Sequence, residues 1–423
     1  MKKVIALVLY YTKENRYSFN ALIGSVEKEK ELLDKINIYF IIKKEELFEK
    51  LDSIVKEYKR IIVAFSFFTT QVWDMYSIIK NLKEKYKKPI YIAGGPHPTG
   101  EPIKTLKMGF DVVAIGEAED TFIEFLKKIK DDKDYRDIKG IAFLDEDGNF
   151  VYKNKDKKIN LDEYYSFATL HNKFGPIEIK RGCLYFCNFC QTPYIFGTSR
   201  HRGIESILKH VYILKKNNLL DIRFISPSAF SYGSNSKTVN IPILEELLKN
   251  IRKIIKSDGR IFIGTFPSEV RPEHINKDTI ELILKYADND NLVIGAQSGS
   301  QRILDICNRS HTVNDIYNAV ELILKAKLKA NVDFIFGLPY EEDEDINLTL
   351  KVIKDLINMG AKIHAHTFMP LPQTPFKTVS IKSLDEDFKK IIKKLSSNSF
   401  IYGNWEKQEM LSKKIREYLT NGT

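Results

Sequence analysis

"KRGCLYFCNFCQTP", residues 180–193, sets Cys183, Cys187 and Cys190 in a C-x3-C-x2-C spacing, and the 423-residue chain holds four cysteines in all. Structural zinc takes four ligands, commonly as two closely spaced pairs, and no second pair follows this cluster. An iron–sulfur cubane makes a different demand. Three thiolates wrap three of its corners and leave one iron without a protein ligand, a place for a substrate. The run "IEIK" (177–180) just ahead reads as a strand, so the loop begins where a strand ends. Cys307, in "RILDICNRS", lies on an apolar helical face and reads as a small buried hydrophobe. Four cysteines in so long a chain build no disulfide framework, and their clustering fits a reduced compartment.

Outward from the cluster the chain repeats strand then helix. "IEIK", "DIRFIS" (221–226), "RIFIGTF" (260–266), "NLVIGAQ" (291–297), "NVDFIFG" (331–337) and "KIHAHTF" (362–368) are each followed by a helical stretch except the last. Six parallel strands predict a partial (β/α)6 barrel over 176–376, with its chemistry at the C-terminal strand ends. Ahead of it, "VIALVLY" (4–10), "INIYFII" (36–42), "RIIVAFS" (60–66), "PIYIAGG" (89–95) and "DVVAIGE" (111–117) alternate with amphipathic stretches, the pattern of a doubly wound α/β domain over 1–130. Residues 131–175 are polar and contain a hairpin signal, "GIAFLDEDGNFVY", which reads as a linker with a small β element. Residues 377–423 form a Lys-rich helical extension.

The balance of 66 Lys and Arg against 56 Asp and Glu gives +10, but the charges are interspersed, as in "VEKEKELLDK" (26–35), like the solvated faces of helices. Nucleic acid is compatible with this charge but is not favoured by it. A content of 43% hydrophobic and 12% aromatic residues suits a globular chain with a large core. No stretch approaches the roughly 18 apolar residues of a membrane helix, and "MKKVIALVLYYTKENR" reads as a first strand, so a cytoplasmic protein is expected.

The cysteine spacing, the aromatic Phe189 before the third cysteine and the strand pattern downstream together resemble the radical SAM superfamily. The resemblance implies that Cys183, Cys187 and Cys190 hold a 4Fe–4S cluster whose free iron chelates S-adenosylmethionine, giving a 5′-deoxyadenosyl radical on reduction. "AQSGSQRIL", "DFIFGLPYEEDED" and "PLPQTPF" are similar to the barrels shared by cobalamin-dependent enzymes and methylthiotransferases. By that likeness Gln297, Ser298 and Gly299 meet the methionine part of the cofactor, and Gly337, Leu338 and Pro339 lie near its adenine. Ser268 and Arg271 in "TFPSEVRP" are candidates for its ribose or carboxylate, with helix capping an equal reading for Ser268. Ser226 stands where relatives carry an acid, in a serine- and aromatic-rich loop running to Tyr232 that would shape a substrate pocket. His364 and His366 share one face of the last strand, suited to binding substrate or moving a proton, or simply to burial.

The strand ends "SFFTT" (66–70), "GGPHPTG" (94–100) and "GEAED" (116–120) resemble those of the cobalamin-binding domain that precedes many radical SAM enzymes. This nominates Ser66, Thr69, Gly94, Gly95, His97, Gly116 and Glu117 for the corrin. The D-x-H-x-x-G segment that supplies a histidine to cobalt in some such domains is absent; "YYTKENRYSF" stands there, and His97 reads as a turn residue or a supporting one. The combined resemblance implies a cobalamin-dependent C-methyltransferase acting on an unactivated carbon of a peptide or small molecule, served by a reductant such as ferredoxin or flavodoxin. The alternatives are a methylthiotransferase-like enzyme modifying tRNA or protein, a non-methylating B12-dependent rearrangement or cyclisation, and a non-catalytic cobalamin or metal sensor. The methylthiotransferases carry three further N-terminal cysteines, and residues 1–182 contain none.

Overall fold

The computed structural model describes residues 4–381 and 383–421. The chain divides into two compact units, Met1–Gly175 and Pro176–Thr423.

In the first unit five strands run parallel: β1 (Ile5–Tyr10), β2 (Ile36–Ile41), β3 (Arg60–Ser66), β4 (Ile90–Gly94) and β5 (Val112–Ala114). Their order is β2-β1-β3-β4-β5. The strands are largely apolar runs because both faces of the sheet are covered, with polar residues at Asn37 of the outer strand β2 and at the two ends of β3, Arg60 and Ser66. Ile5, Leu7 and Leu9 of β1 pack on one side with Phe19, Ile23, Phe122 and Phe125 from helices Arg16–Val26 and Glu119–Lys130. Ala6 and Val8 pack on the other with Leu47, Leu51, Met75 and Ile79 from helices Lys44–Glu57 and Val72–Lys85. Strand order reverses between β1 and β3, which opens a crevice beyond their carboxyl ends, where such sheets bind ligands.

The hairpin read as a linker element is part of this sheet. β6 (Ile141–Leu144) pairs antiparallel with β5, and β7 (Phe150–Tyr152) with β6. Asp145 Oδ1 accepts from the backbone N–H of Asp147 and of Asn149, and Gly148 takes φ +81 at the tip.

The second unit is an open barrel. β8 (Ile177–Glu178) lies beside β11 (Asp221–Ile225), which pairs with β12 (Arg260–Phe262). A bridge between Val270 and Ile294 then leads to β13 (Asn291–Gln297), followed by β14 (Lys329–Phe336), β15 (Lys362–Thr367) and β16 (Ile401–Tyr402). All these pairings are parallel, and helices occupy the crossovers. The extension after the sixth strand is helical at Glu386–Ser397 and Trp405–Asn421. Between these helices it contributes β16, a two-residue strand too short to carry a periodic signal. A separate antiparallel ribbon pairs β9 (Lys180–Arg181) with β10 (Arg200–His201) and fastens together the two ends of the cysteine loop. Among the described residues no helix is long and apolar enough to cross a membrane.

Gly24 is fixed by close approach: a Cβ there would lie 2.4 Å from the Phe167 carbonyl oxygen, whereas a Cβ on Gly94 would meet nothing nearer than 3.8 Å. Gly24→Ala is therefore expected to destabilise the first unit by about 1–3 kcal/mol, while Gly94→Ala leaves its urea midpoint unchanged. Equal midpoints for the two variants would contradict this packing.

Candidate functional site

The cysteine loop is built to a fixed shape. Gly182 holds φ +79, and a Cβ there would sit 2.3 Å from the Thr198 oxygen, so this residue must be glycine. The Cys183 N–H donates to the Gly197 oxygen at 3.0 Å and the Cys190 N–H to the Cys187 oxygen at 3.0 Å, with Phe186 left-handed at φ +49 between them. Cys187 is buried and Cys183 and Cys190 are half-buried. Burial pushes the Cys190 thiol up to about 11, which favours the neutral thiol, so its thiolate form needs positive charge beside it.

A segment distant in sequence clamps this loop. Asn308 Nδ2 donates to the carbonyl oxygens of Tyr185 and Phe186, both at 3.0 Å. Asn188 Nδ2 donates to the Ile306 oxygen at 2.7 Å, and the Asn188 N–H to the Cys307 oxygen at 3.0 Å. Arg309 Nη1 lies 3.7 Å from Cys187 Sγ and Arg271 Nη1 lies 4.0 Å from it. The Arg271 guanidinium also covers the Tyr185 ring at 3.5 Å. Cys307 is fully buried in an apolar cluster with Ile303, Leu338, Phe368 and Phe376, against which Phe189 packs, and burial pushes its thiol up to about 12.

Two observations bear on what the loop holds. The first is spacing. Three thiolates on a single zinc ion stand about 3.8 Å apart, given Zn–S bonds of about 2.3 Å. Among the described residues the trio whose ligand atoms all lie within 4.8 Å of one another is Asp333, His364 and His366, not the three cysteines. The three cysteines are thus not gathered as the ligands of a single ion. The second is a set of buried polar atoms without hydrogen-bond partners: Arg271 Nη2 and Arg309 Nε, on the two guanidinium groups beside Cys187, together with Ser268 Oγ, Glu273 Oε2 and His311 Nδ1, the last two 3.8 Å apart. Each such atom costs about 1–3 kcal/mol unless something bound satisfies it.

The other barrel candidates fall into two groups. Ser268 and Arg271 stand in the orphaned group just described. Others are tied into the scaffold. Ser226 Oγ donates to the Ser228 oxygen at 2.9 Å and accepts from the Ser228 N–H, so this hydroxyl closes its own turn. Ser298 Oγ pairs with Thr349 Oγ1 at 3.3 Å, and a Cβ on Gly299 would lie 2.6 Å from Thr349 Cα, so both positions pack on helix Asp343–Met359. Gln297, at φ +76, marks an irregularity in the pairing of β13 with β14. Gly337 turns the chain at φ +69 after β14, leaving Leu338 and Pro339 buried.

His364 Nδ1 lies 3.0 Å from Asp333 Oδ1 and 3.1 Å from His366 Nε2, and Tyr402 stacks on the His364 ring at 4.5 Å. Burial, and the neighbouring His364, hold the His366 imidazole below its usual range. Sequence reasoning missed Lys180. It is buried, donates to Ser231 Oγ, and is held down to about 8 by burial.

In the first unit the three nominated strand ends converge. Asn15 Nδ2 donates to the Tyr10 oxygen at 2.8 Å and to the Ser66 oxygen at 3.0 Å, stapling β1 to β3 at the crevice. Gly95 holds φ +94, and a Cβ on it would lie 2.8 Å from Ser66 Oγ. His97 is fully buried, stacked on Phe67 at 5.5 Å, with Nδ1 3.1 Å from Thr69 Oγ1. The Gly116 N–H donates to Thr99 Oγ1, and no atom lies within 4 Å of where its Cβ would be. Glu117 Oε2 accepts from the Ile159 N–H at 3.0 Å. The open space at Gly116, beside a turn whose backbone is fixed by Gly95, leaves room for a ligand at these strand ends.

The model of the radical SAM superfamily matches residues 177–353, and that of the B12 binding domain matches residues 33–126. The chain carries a radical SAM domain with a B12-binding domain ahead of it. It is 26% identical over 369 residues to the uncharacterized protein MJ1620 of Methanocaldococcus jannaschii, covering 76% of this chain and 70% of that one. It is 30% identical over 239 residues to a tRNA-2-methylthio-N(6)-dimethylallyladenosine synthase of Buchnera aphidicola subsp. Baizongia pistaciae, covering 53% and 51%. The structure of the radical S-adenosylmethionine methyltransferase TsrM from Kitasatospora setae, with cobalamin and a 4Fe–4S cluster bound, matches with a TM-score of 0.70 at 15% identity, covering 89% of this chain and 74% of that one. The cobalamin-dependent S-adenosylmethionine radical enzyme OxsB matches with a TM-score of 0.64 at 16% identity, covering 94% and 55%. At these identities the likeness is one of fold.

Asn308→Ala removes two hydrogen bonds to the loop without touching a sulfur. It is expected to assemble the cluster but to lose it several-fold faster under chelator. Ala at Cys183, Cys187 or Cys190 should abolish cluster iron, and Cys307→Ala should retain it. Iron analysis with bathophenanthroline release rates checks all five variants; cluster retention in Cys187→Ala would break the ligand assignment.

Proposed function

We propose that this chain is a cobalamin-dependent radical SAM methyltransferase that places a methyl group on an unactivated carbon of a peptide or small-molecule substrate, with electrons from a ferredoxin- or flavodoxin-type donor. Two features support the reading: a clamped three-thiolate loop at the end of the first barrel strand, and unpartnered guanidinium nitrogens beside Cys187. The loop carries it: it offers three thiolates in a C-x3-C-x2-C spacing without the second pair that structural zinc takes.

In this reading Cys183, Cys187 and Cys190 hold the 4Fe–4S cluster, and the crevice at Ser66–Thr69, Gly94–His97 and Gly116–Glu117 holds the corrin. When bound, these groups and S-adenosylmethionine supply a 5′-deoxyadenosyl radical and a transferable methyl group. The chain's own residues position and shield. Arg271 and Arg309 set positive charge against Cys187 Sγ, which favours the added electron. Arg271 Nη2 and Arg309 Nε remain as donors for the carboxylate of a bound amino acid moiety. Gly95 keeps the backbone clear of a ring system, and Phe67 with His97 forms a rigid wall behind it.

The 30%-identical relative named for tRNA methylthiolation favours a second reading. That family's second cluster needs cysteines ahead of the triad, and this chain has none before Cys183.

Anaerobic reconstitution with iron, sulfide and cobalamin is expected to yield about four irons per chain, a corrin absorbance, and reductive cleavage of S-adenosylmethionine. His97 is packed on Phe67 and held at Thr69, so the bound Co(II) corrin should show no histidine nitrogen splitting by EPR. Cofactors bound without cleavage would make the chain a sensor, and nitrogen splitting that vanishes in His97→Ala would make His97 the cobalt ligand.

A further inference from the structure

We propose that Asp333, His364 and His366 form a second, mononuclear metal site in the barrel, a divalent-cation centre of the two-histidine, one-carboxylate kind. Asp333 and His364 are register partners across β14 and β15, and His366 follows two residues later. Side chains two apart on a strand share a face, so the parallel register alone brings three donors together. Tyr402, from β16, fixes the plane of the His364 ring by stacking at 4.5 Å and 7°.

The separations are those of ligands around one ion. Two donors each about 2.1 Å from a metal and at right angles stand about 3.0 Å apart. Here Asp333 Oδ1 to His364 Nδ1 is 3.0 Å and His364 Nδ1 to His366 Nε2 is 3.1 Å, with all three atoms within 4.8 Å.

Hydrogen bonding among these residues does not account for the arrangement. Gln408 Oε1 accepts from the Thr367 N–H at 2.8 Å, which turns Gln408 Nε2 toward His366 Nδ1 at 3.4 Å. If that amide donates, His366 carries its proton on Nε2 and points it at His364 Nδ1. His364 Nδ1 must then accept, and the Asp333 carboxylate faces the same lone pair at 3.0 Å. If instead His364 Nδ1 carries the proton, it can serve Asp333 or His366 but not both, and His366 must put its own proton against the Gln408 amide. No placement of protons on two neutral imidazoles satisfies all the contacts. A cation among the three atoms takes all three lone pairs and leaves the long Gln408 contact as the one to rearrange.

The donor set indicates the class of metal. Two imidazoles and one carboxylate suit Fe(II), Mn(II), Co(II) or Zn(II), and three protein ligands leave positions open for water or an oxygen-bearing substrate. Glu269 lies within electrostatic reach of Asp333 and His364.

The proposal stands apart from the cluster reading, and Mn(II), which binds thiolates poorly, separates the two. In a titration of the cluster-loaded chain, loss of the free Mn(II) EPR signal should report one bound ion per chain. Asp333→Asn and His366→Gln should each weaken that binding at least tenfold with unchanged circular dichroism. A variant with Cys183, Cys187 and Cys190 all replaced by Ala should bind Mn(II) as the wild type does. Should one site variant fail to fold, the other decides. Absence of binding by wild type at millimolar Mn(II), or equal binding by folded site variants, would overturn the proposal.

Discussion

The site in the second unit depends on fixing the shape of the loop that carries three cysteines. Left to itself, an eight-residue loop with three cysteines would collapse its sulfurs together or expose them; here the backbone is fixed from outside. The Asn308 side chain and the Asn188 contacts to Ile306 and Cys307 join the loop to the end of helix Gln301–Ile306. The ribbon of β9 with β10 fastens its two ends. Because these backbone and amide hydrogen bonds are made without a cluster, the loop keeps its shape before one enters, which lowers the ordering cost of binding it.

That clamp also explains the neighbouring charges. Arg309 follows Asn308 directly, so the residue that holds the loop delivers a guanidinium to Cys187 Sγ. Cys307, one position earlier, is drawn into the apolar cluster beneath Phe189. One short segment thus supplies a support, a charge and a packing surface, and the "NRS" stretch gains a reason that its own sequence does not display.

The parallel strands and the cysteine loop were legible because each depends on local pattern: apolar runs covered on both faces, and a spacing of thiols. The clamp was not, because Asn308 meets Tyr185 and Phe186 across more than a hundred residues, and an asparagine after a helix also reads as an ordinary cap. Asn15 was hidden for the same reason, since its stapling of β1 to β3 needs the sheet order. The hairpin at 140–152 was legible as a hairpin, yet nothing in its own residues shows that β6 would join β5. The alternation in "KIHAHTF" placed His364 and His366 on one face, while their carboxylate partner Asp333 became visible only through the register of β14 with β15.

In the proposed reading one iron of the cluster is free of protein ligands and open to S-adenosylmethionine. EPR of the dithionite-reduced, reconstituted chain with and without S-adenosylmethionine, followed by electron–nuclear double resonance with the amino nitrogen labelled as 15N, tests it most directly. A shift of the cluster g-values on addition and a 15N coupling from a nitrogen bound to iron are expected. An unshifted spectrum with no coupling, from a chain shown to contain its full complement of iron, would contradict it.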